Sequence, residues 1–149
     1  MNTRPVSMLA ALLYLAAFGT ASAPAEERVP AELRQYHYSA NLPSCDDPGV
    51  LGRISDRLAF REYAFWNNSL SILEIKDIRM VGFRPNGVDL IPRRYCHASI
   101  VTSDEKKRVM DYNIIEGGGI IGWGYGVDWC ISGLERNYSH DGDCRTARP

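Results

Sequence analysis

Four cysteines constrain this chain more tightly than any other feature: Cys45, Cys96, Cys130 and Cys144. Their number is even, and none falls in the first 44 residues. In an exported chain such a set implies two disulfides, and two cross-links leave few arrangements open to a small domain. Zinc is the competing use of four cysteines. Separations of 51, 34 and 14 residues contain no C-x-x-C pair, so the spacing speaks against a metal site.

The N-terminus supplies the export. In "MNTRPVSMLAALLYLAAFGTASAPA" a single cation, Arg4, precedes an apolar run from Val6 to Phe18, and small residues follow at Ala21, Ala23 and Ala25. That order marks residues 1–25 as a secretory signal peptide, cleaved after Ala23 or Ala25, with Pro24 disfavouring the first. The apolar run is short for a membrane span, which needs roughly 20 apolar residues. No cysteine follows it closely, so no lipoprotein anchor is suggested. Removal of 25 of the 149 residues leaves 124, one domain with room for a core. The 17 cations fall to 16 against 18 acids, a net charge of −2. This balance gives no reason to expect nucleic acid, and there is no polybasic run for anionic lipid. No second apolar segment approaches spanning length. The address implied is periplasmic or secreted.

Residues 26–44 are polar and proline-punctuated, and read as an extended arm. A single α+β domain follows over 45–149. Asp47 can cap a helix that has Pro48 at its first position, and Asn67-Asn68 suits its end. Between them Leu51, Ile54, Leu58 and Phe65 recur at helical spacing, with Arg53, Arg57 and Arg61 as a second stripe. The stripe reads as a solvated helix face or a contact for an anionic partner. Beyond this helix (about 48–66) the chain has strand character. "SILEIKDIRMVGF" alternates, with a phase slip at Lys76-Asp77 that predicts a β-bulge. "RPNG" and "SDEK" read as turns, and "VDLIP" as a short edge piece. "RRYCHASIVT", "RVMDYNIIE" and "IIGWGYGVDWCIS" read as strands. Arg93-Arg94 reads as a charged strand edge. The expected fold is one amphipathic helix packed on a curved antiparallel sheet of about four strands, stapled by disulfides. In arrangement it resembles cystatin-like or nuclear-transport-factor-like domains, a fold-level likeness that carries no function.

Within "EGGGIIGWGYGVDWC", Gly117, Gly119 and Gly122 spell the G-x-G-x-x-G of a dinucleotide turn. That turn needs a helix directly behind it to hold the pyrophosphate. Glycines alternating with Trp123, Tyr125 and Val127 make a poor helix and a good strand, so the motif is set aside. Read as a strand, the segment puts Trp123, Tyr125, Val127, Trp129 and Ile131 on one face and Gly122, Gly124, Gly126, Asp128 and Cys130 on the other. The bare face is expected to admit the crossing helix, or else a ligand. The aromatic face (Trp123, Tyr125, Trp129) is either core or a patch for a partner.

The same hairpin reasoning bears on the disulfides. If "SDEK" and "GGG" turn successive hairpins, Cys96 lies level with Trp123, and Cys130 is roughly 23 Å further along. That excludes Cys96–Cys130. Two connectivities remain: Cys45–Cys96 with Cys130–Cys144, which is preferred, or Cys45–Cys130 with Cys96–Cys144.

Few residues invite chemistry. His97 sits on a predicted strand, opposite Tyr112 in that register and with Glu116 at the strand's end, so the three are the candidates for acid/base work in a sheet concavity. The remaining histidines are His37 and His140. The loop of His140, Asp141 and Asp143 lacks the glutamate and length of a calcium loop. G-x-S-x-G, H-E-x-x-H and a Cys–His nucleophile pair are all missing, and no cofactor or metal is expected. Asn67-Asn68-Ser69 and Asn137-Tyr138-Ser139 match the glycosylation pattern, which matters only in a eukaryotic secretory route.

"CDDPGVLGRI", "IPRRYCHA", "YGVDWCISGL" and "DGDCR" together resemble a family of small exported four-cysteine proteins of Gram-negative bacteria. The resemblance implies a periplasmic or secreted address and supplies no activity. The leading expectation is a non-enzymatic binding or envelope-associated module that uses its sheet. The alternatives are an acid/base enzyme centred on His97 and an inhibitor of a lytic enzyme.

Overall fold

The computed structural model describes residues 38–85 and 91–149. The expected signal peptide, His37, most of the expected arm, half of "RPNG" and most of "VDLIP" lie outside the described residues. The elements are α1 (Pro48–Trp66), β1 (Ile72–Arg84), β2 (Arg93–Thr102), β3 (Lys107–Glu116) and β4 (Tyr125–Ile131). The strands form one open antiparallel sheet in the order β1-β2-β3-β4.

Helix α1 starts and stops as its sequence dictates. The Asp47 carboxylate accepts from the amides of Gly49 and Val50 at 2.8 and 3.1 Å, and Pro48 needs no donor there. Asn67 ends it in the left-handed conformation, φ 47°. The buried stripe is Val50, Ile54, Leu58 and then Glu62. Phe65, expected in the apolar stripe, is exposed instead. In its place Glu62 is fully buried, held by Arg136 at 3.1 Å and the Asn68 amide at 3.0 Å. Arg136 also lies over the Trp66 ring, which ties the helix end to the C-terminal segment.

The apolar stripe packs on one sheet face formed by Cys96, Ala98 and Ile100 of β2, Met110, Tyr112 and Ile114 of β3, and Val127, Trp129 and Ile131 of β4. Each fully buried aliphatic side chain there contributes about 1.5–3 kcal/mol. The bulge expected at Lys76-Asp77 is present: register shifts between Lys76 and Arg79, and Asp77 has φ 53°.

Two disulfides, Cys45–Cys96 and Cys130–Cys144, staple opposite faces. The first joins the start of α1 to β2 within the core. The second holds the C-terminal segment across the outer face, where Cys130, Cys144 and Ala147 form a small cluster. The preferred pairing is therefore present, but not for the distance reason given by the hairpin register. Cys96 pairs with Tyr112, and Tyr112 with Trp129, so Cys130 is only one position out of level with Cys96. The two are kept apart by lying on opposite faces, two strands from each other. Arg93 and Arg94 also differ from expectation. They lie on β2, an interior strand, where Arg94 stacks on Phe83 and donates to the Leu42 carbonyl at 3.3 Å.

Candidate functional site

The structure separates the three candidate residues. The β2–β3 turn is one residue tighter than "SDEK" suggests: the Thr102 amide bonds the Lys106 carbonyl, and Glu105 adopts φ 60°. That shift sets His97 opposite Asp111 rather than Tyr112. A one-residue slip reverses every side chain. Tyr112 thus points into the core, where its hydroxyl donates to the Cys45 carbonyl at 2.6 Å. Burial, aided by the Asp46 carboxylate, pushes its phenol well above the usual value and keeps it protonated. Glu116 anchors the arm, accepting from the Ser39 amide and hydroxyl at 2.8 Å and the Ala40 amide at 2.7 Å. Desolvation is the largest influence on its carboxyl and pushes its pKa up. The three hydrogen bonds together outweigh that and hold it below the usual range.

His97 instead stands on the outer face with the buried Asp111, Nδ1 to Oδ1 2.8 Å. A carboxylate on Nδ1 orients an imidazole and leaves Nε2 for a proton. Arg148 of the C-terminal segment reaches the other Asp111 oxygen at 3.5 Å, and His140 meets Asp128 at 3.2 Å. Among the described residues no hydroxyl or thiol is hydrogen-bonded to His97. The cluster binds the segment to the sheet, and the acid/base reading retains only the His97–Asp111 pair. Asp141 and Asp143 are occupied by Arg145 and Arg148, and no metal-holding group of His, Cys, Asp or Glu occurs among the described residues. Sequence reasoning missed Asp111. Its one signal was an acid in the middle of the otherwise apolar "VMDYNII".

The glycine run holds the larger correction. β4 begins only at Tyr125. Residues Ile120–Gly122 form a 3-10 turn, and Gly122 and Gly124 have φ 77° and 67°. Trp123 is therefore off the strand. The helix covers the aromatic face, not the glycine face: Val127 and Trp129 are core, and Tyr125 lies under Arg53. Only Gly126 keeps its expected role, with a different occupant. A Cβ there would come within 2.4 Å of the Gly118 carbonyl oxygen, so the loop's own backbone fills the bare face.

The arginine stripe lies along this edge. Arg53 and Arg57 donate to the Tyr125 and Val127 carbonyls at 2.8 and 3.2 Å, and Arg61 stacks on the Trp129 ring at 4.3 Å. β4 is an edge strand, so these arginines cap carbonyls that would otherwise face water. Among the described residues no carboxylate forms an ion pair with Arg53 or Arg57. Both line an open groove of about 540 Å³ with Gly118, Gly119, Ile120, Trp123, Tyr125 and Gly126.

No family model, curated protein or solved structure matches this chain. The site must be read from its own geometry.

Above the groove the loop projects Ile120, Ile121 and Trp123, which are 87%, 92% and 83% exposed. Its backbone is bonded internally: Gly117 N–H to the Gly124 carbonyl at 2.7 Å, Gly122 to Gly119 at 3.2 Å and Trp123 to Ile120 at 3.1 Å. Ile121 has φ 58° and ψ 29°, a costly conformation for a β-branched residue. A second exposed apolar group, Phe60, Tyr63 and Phe65, lies on the far half of α1. A further groove of about 380 Å³ on the outer sheet face includes Glu74, Lys76, Ser99 and Lys107, and Lys76 is paired with Glu74 there at 2.8 Å.

Proposed function

We propose that the protein is an exported, disulfide-stabilised binding module associated with the cell envelope, and that it engages its target through the 118–123 tip and the groove beneath it. The observation that carries this reading is Ile121: a β-branched side chain held at positive φ and turned fully outward on a hydrogen-bonded loop. The loop's hydrogen bonds hold the backbone there, while the side chain is left almost wholly exposed. Strained conformations are kept where surrounding structure enforces them, and they concentrate at binding and catalytic positions. Export is supported by the signal-like N-terminus and by the pairing of all four cysteines. No helix among the described residues is long and apolar enough to cross a membrane.

The test is photo-crosslinking in the native host. A photoreactive amino acid at Ile121 should yield a discrete adduct. The same group at Glu105, in the β2–β3 turn, should yield none. Equal labelling at both positions, or none at Ile121, would reject the tip as the recognition surface.

The convexity and internal bonding of the tip also favour a second reading, in which it lodges in the cleft of a lytic enzyme. Stoichiometric protein would then slow a lysozyme or protease, and a panel showing no effect would discard this reading.

A further inference from the structure

We propose that the 118–123 tip is a membrane-docking surface for a bilayer with anionic phosphate headgroups. Ile120 and Ile121 enter the acyl boundary, Trp123 lies at headgroup level, and Arg53 and Arg57 meet lipid phosphate. The proposal rests on the preceding reading of the tip as the recognition surface and supplies its target.

Three features point the same way. The apolar residues are convex and almost wholly exposed. A small ligand in the groove beneath would cover Ile120, Trp123 and the glycine backbone but leave Ile121 in water. A bilayer covers all three without a matching cleft. Trp123 belongs to the residue type most enriched at membrane–water interfaces, and isoleucine is among those most favourable below them. The guanidiniums are the third feature. Each spends one N–H on a β4 carbonyl, and Arg53 is further fixed over the Tyr125 ring at 4.4 Å. Their remaining donors face the groove, with no carboxylate paired to them among the described residues. Glu116, the acid nearest the loop in sequence, is occupied by the Ser39 and Ala40 amides. Surface association grows with buried apolar area and with attraction between basic side chains and anionic lipid. Both terms are present here. The sequence contains no polybasic run. The fold instead brings together cations and apolar residues that lie 63 to 70 positions apart in the chain.

Vesicle co-sedimentation of the exported protein tests this. Vesicles of equal parts phosphatidylglycerol and phosphatidylcholine should carry the protein down more strongly than phosphatidylcholine alone, and added salt should weaken the difference. Brominated lipid should quench tryptophan emission, and Trp123→Phe should remove that quenching. Ile120→Ser combined with Ile121→Ser should reduce partitioning about tenfold or more while leaving thermal unfolding unchanged, since both residues are exposed. Arg57→Gln should lower binding to the anionic vesicles only. Should that variant fold poorly, the salt series on the unaltered protein reports the same electrostatic contribution. The proposal is overturned if the protein stays in solution with anionic vesicles, or if the double serine variant sediments like the parent. A protein adduct at Ile121 together with absent vesicle binding would overturn the lipid target and leave the tip reading standing. Failure of both experiments would remove the two together.

Discussion

Single side chains in this protein are committed to holding segments in place. Tyr112 is the clearest: its hydroxyl is the partner of the Cys45 carbonyl deep in the core, beside the first disulfide. Tyr112→Phe leaves that carbonyl without a donor, so we expect a loss of about 1–3 kcal/mol, read from denaturant unfolding. Glu116 makes a pH-dependent link. Its carboxyl is held below the usual 4.5, so the bonded carboxylate contributes above that value and the contribution disappears as pH falls through the lowered pKa. The Ser39 and Ala40 amide resonances should therefore titrate with a midpoint under 4.5, and Glu116→Gln should abolish the transition. Neither role was legible in the sequence. A tyrosine and a glutamate on a strand look alike whether they act on substrate or on backbone. Only the face and the neighbour decide.

At the level of elements, the helix was the most legible part. Asp47, Pro48 and Asn67 are local signals with local causes, and each acts where its chemistry predicts. The bulge at Asp77 was legible for the same reason. The strand pairing was not. The register of β2 and β3 depends on a left-handed Glu105, and glutamate gives no advance notice of positive φ as glycine would. One residue of error exchanged Asp111 for Tyr112 as the partner of His97. The glycine run misled in another way. Gly122 and Gly124 supply positive φ to a protruding turn, whereas Gly126 supplies room, and composition alone does not separate the two uses. The arginine stripe, which reads as a solvated face, caps an edge strand. Arg57→Met should uncover the Val127 carbonyl, lower stability by about 1 kcal/mol and raise self-association through β4, measured by sedimentation velocity.

On the scale of the whole molecule, the fold was legible because cysteine count, one helix and alternating strands all restrict the same small set of architectures. The crossing of the sheet's outer face by residues 133–149 was not. A polar tail carries no periodicity to announce where it lies. Its attachment is covalent at Cys130–Cys144, ionic at Asp111 through Arg148, and polar at Asp128 through His140. Replacing both Cys130 and Cys144 by serine should cost about 3 kcal/mol for a loop of this length and raise hydrogen exchange in the tail, with α1 and Cys45–Cys96 retained. The placement of the two bridges also bears on how the protein acquires them. Four thiols allow three pairings. Once the strands have come together, the sheet acts as a partition, with one couple of thiols on each side and no route through it. Oxidation after that point has a single outcome. Oxidation before it must choose among three. Fidelity here is a matter of timing, set by whether the sheet forms before or after the thiols are oxidised.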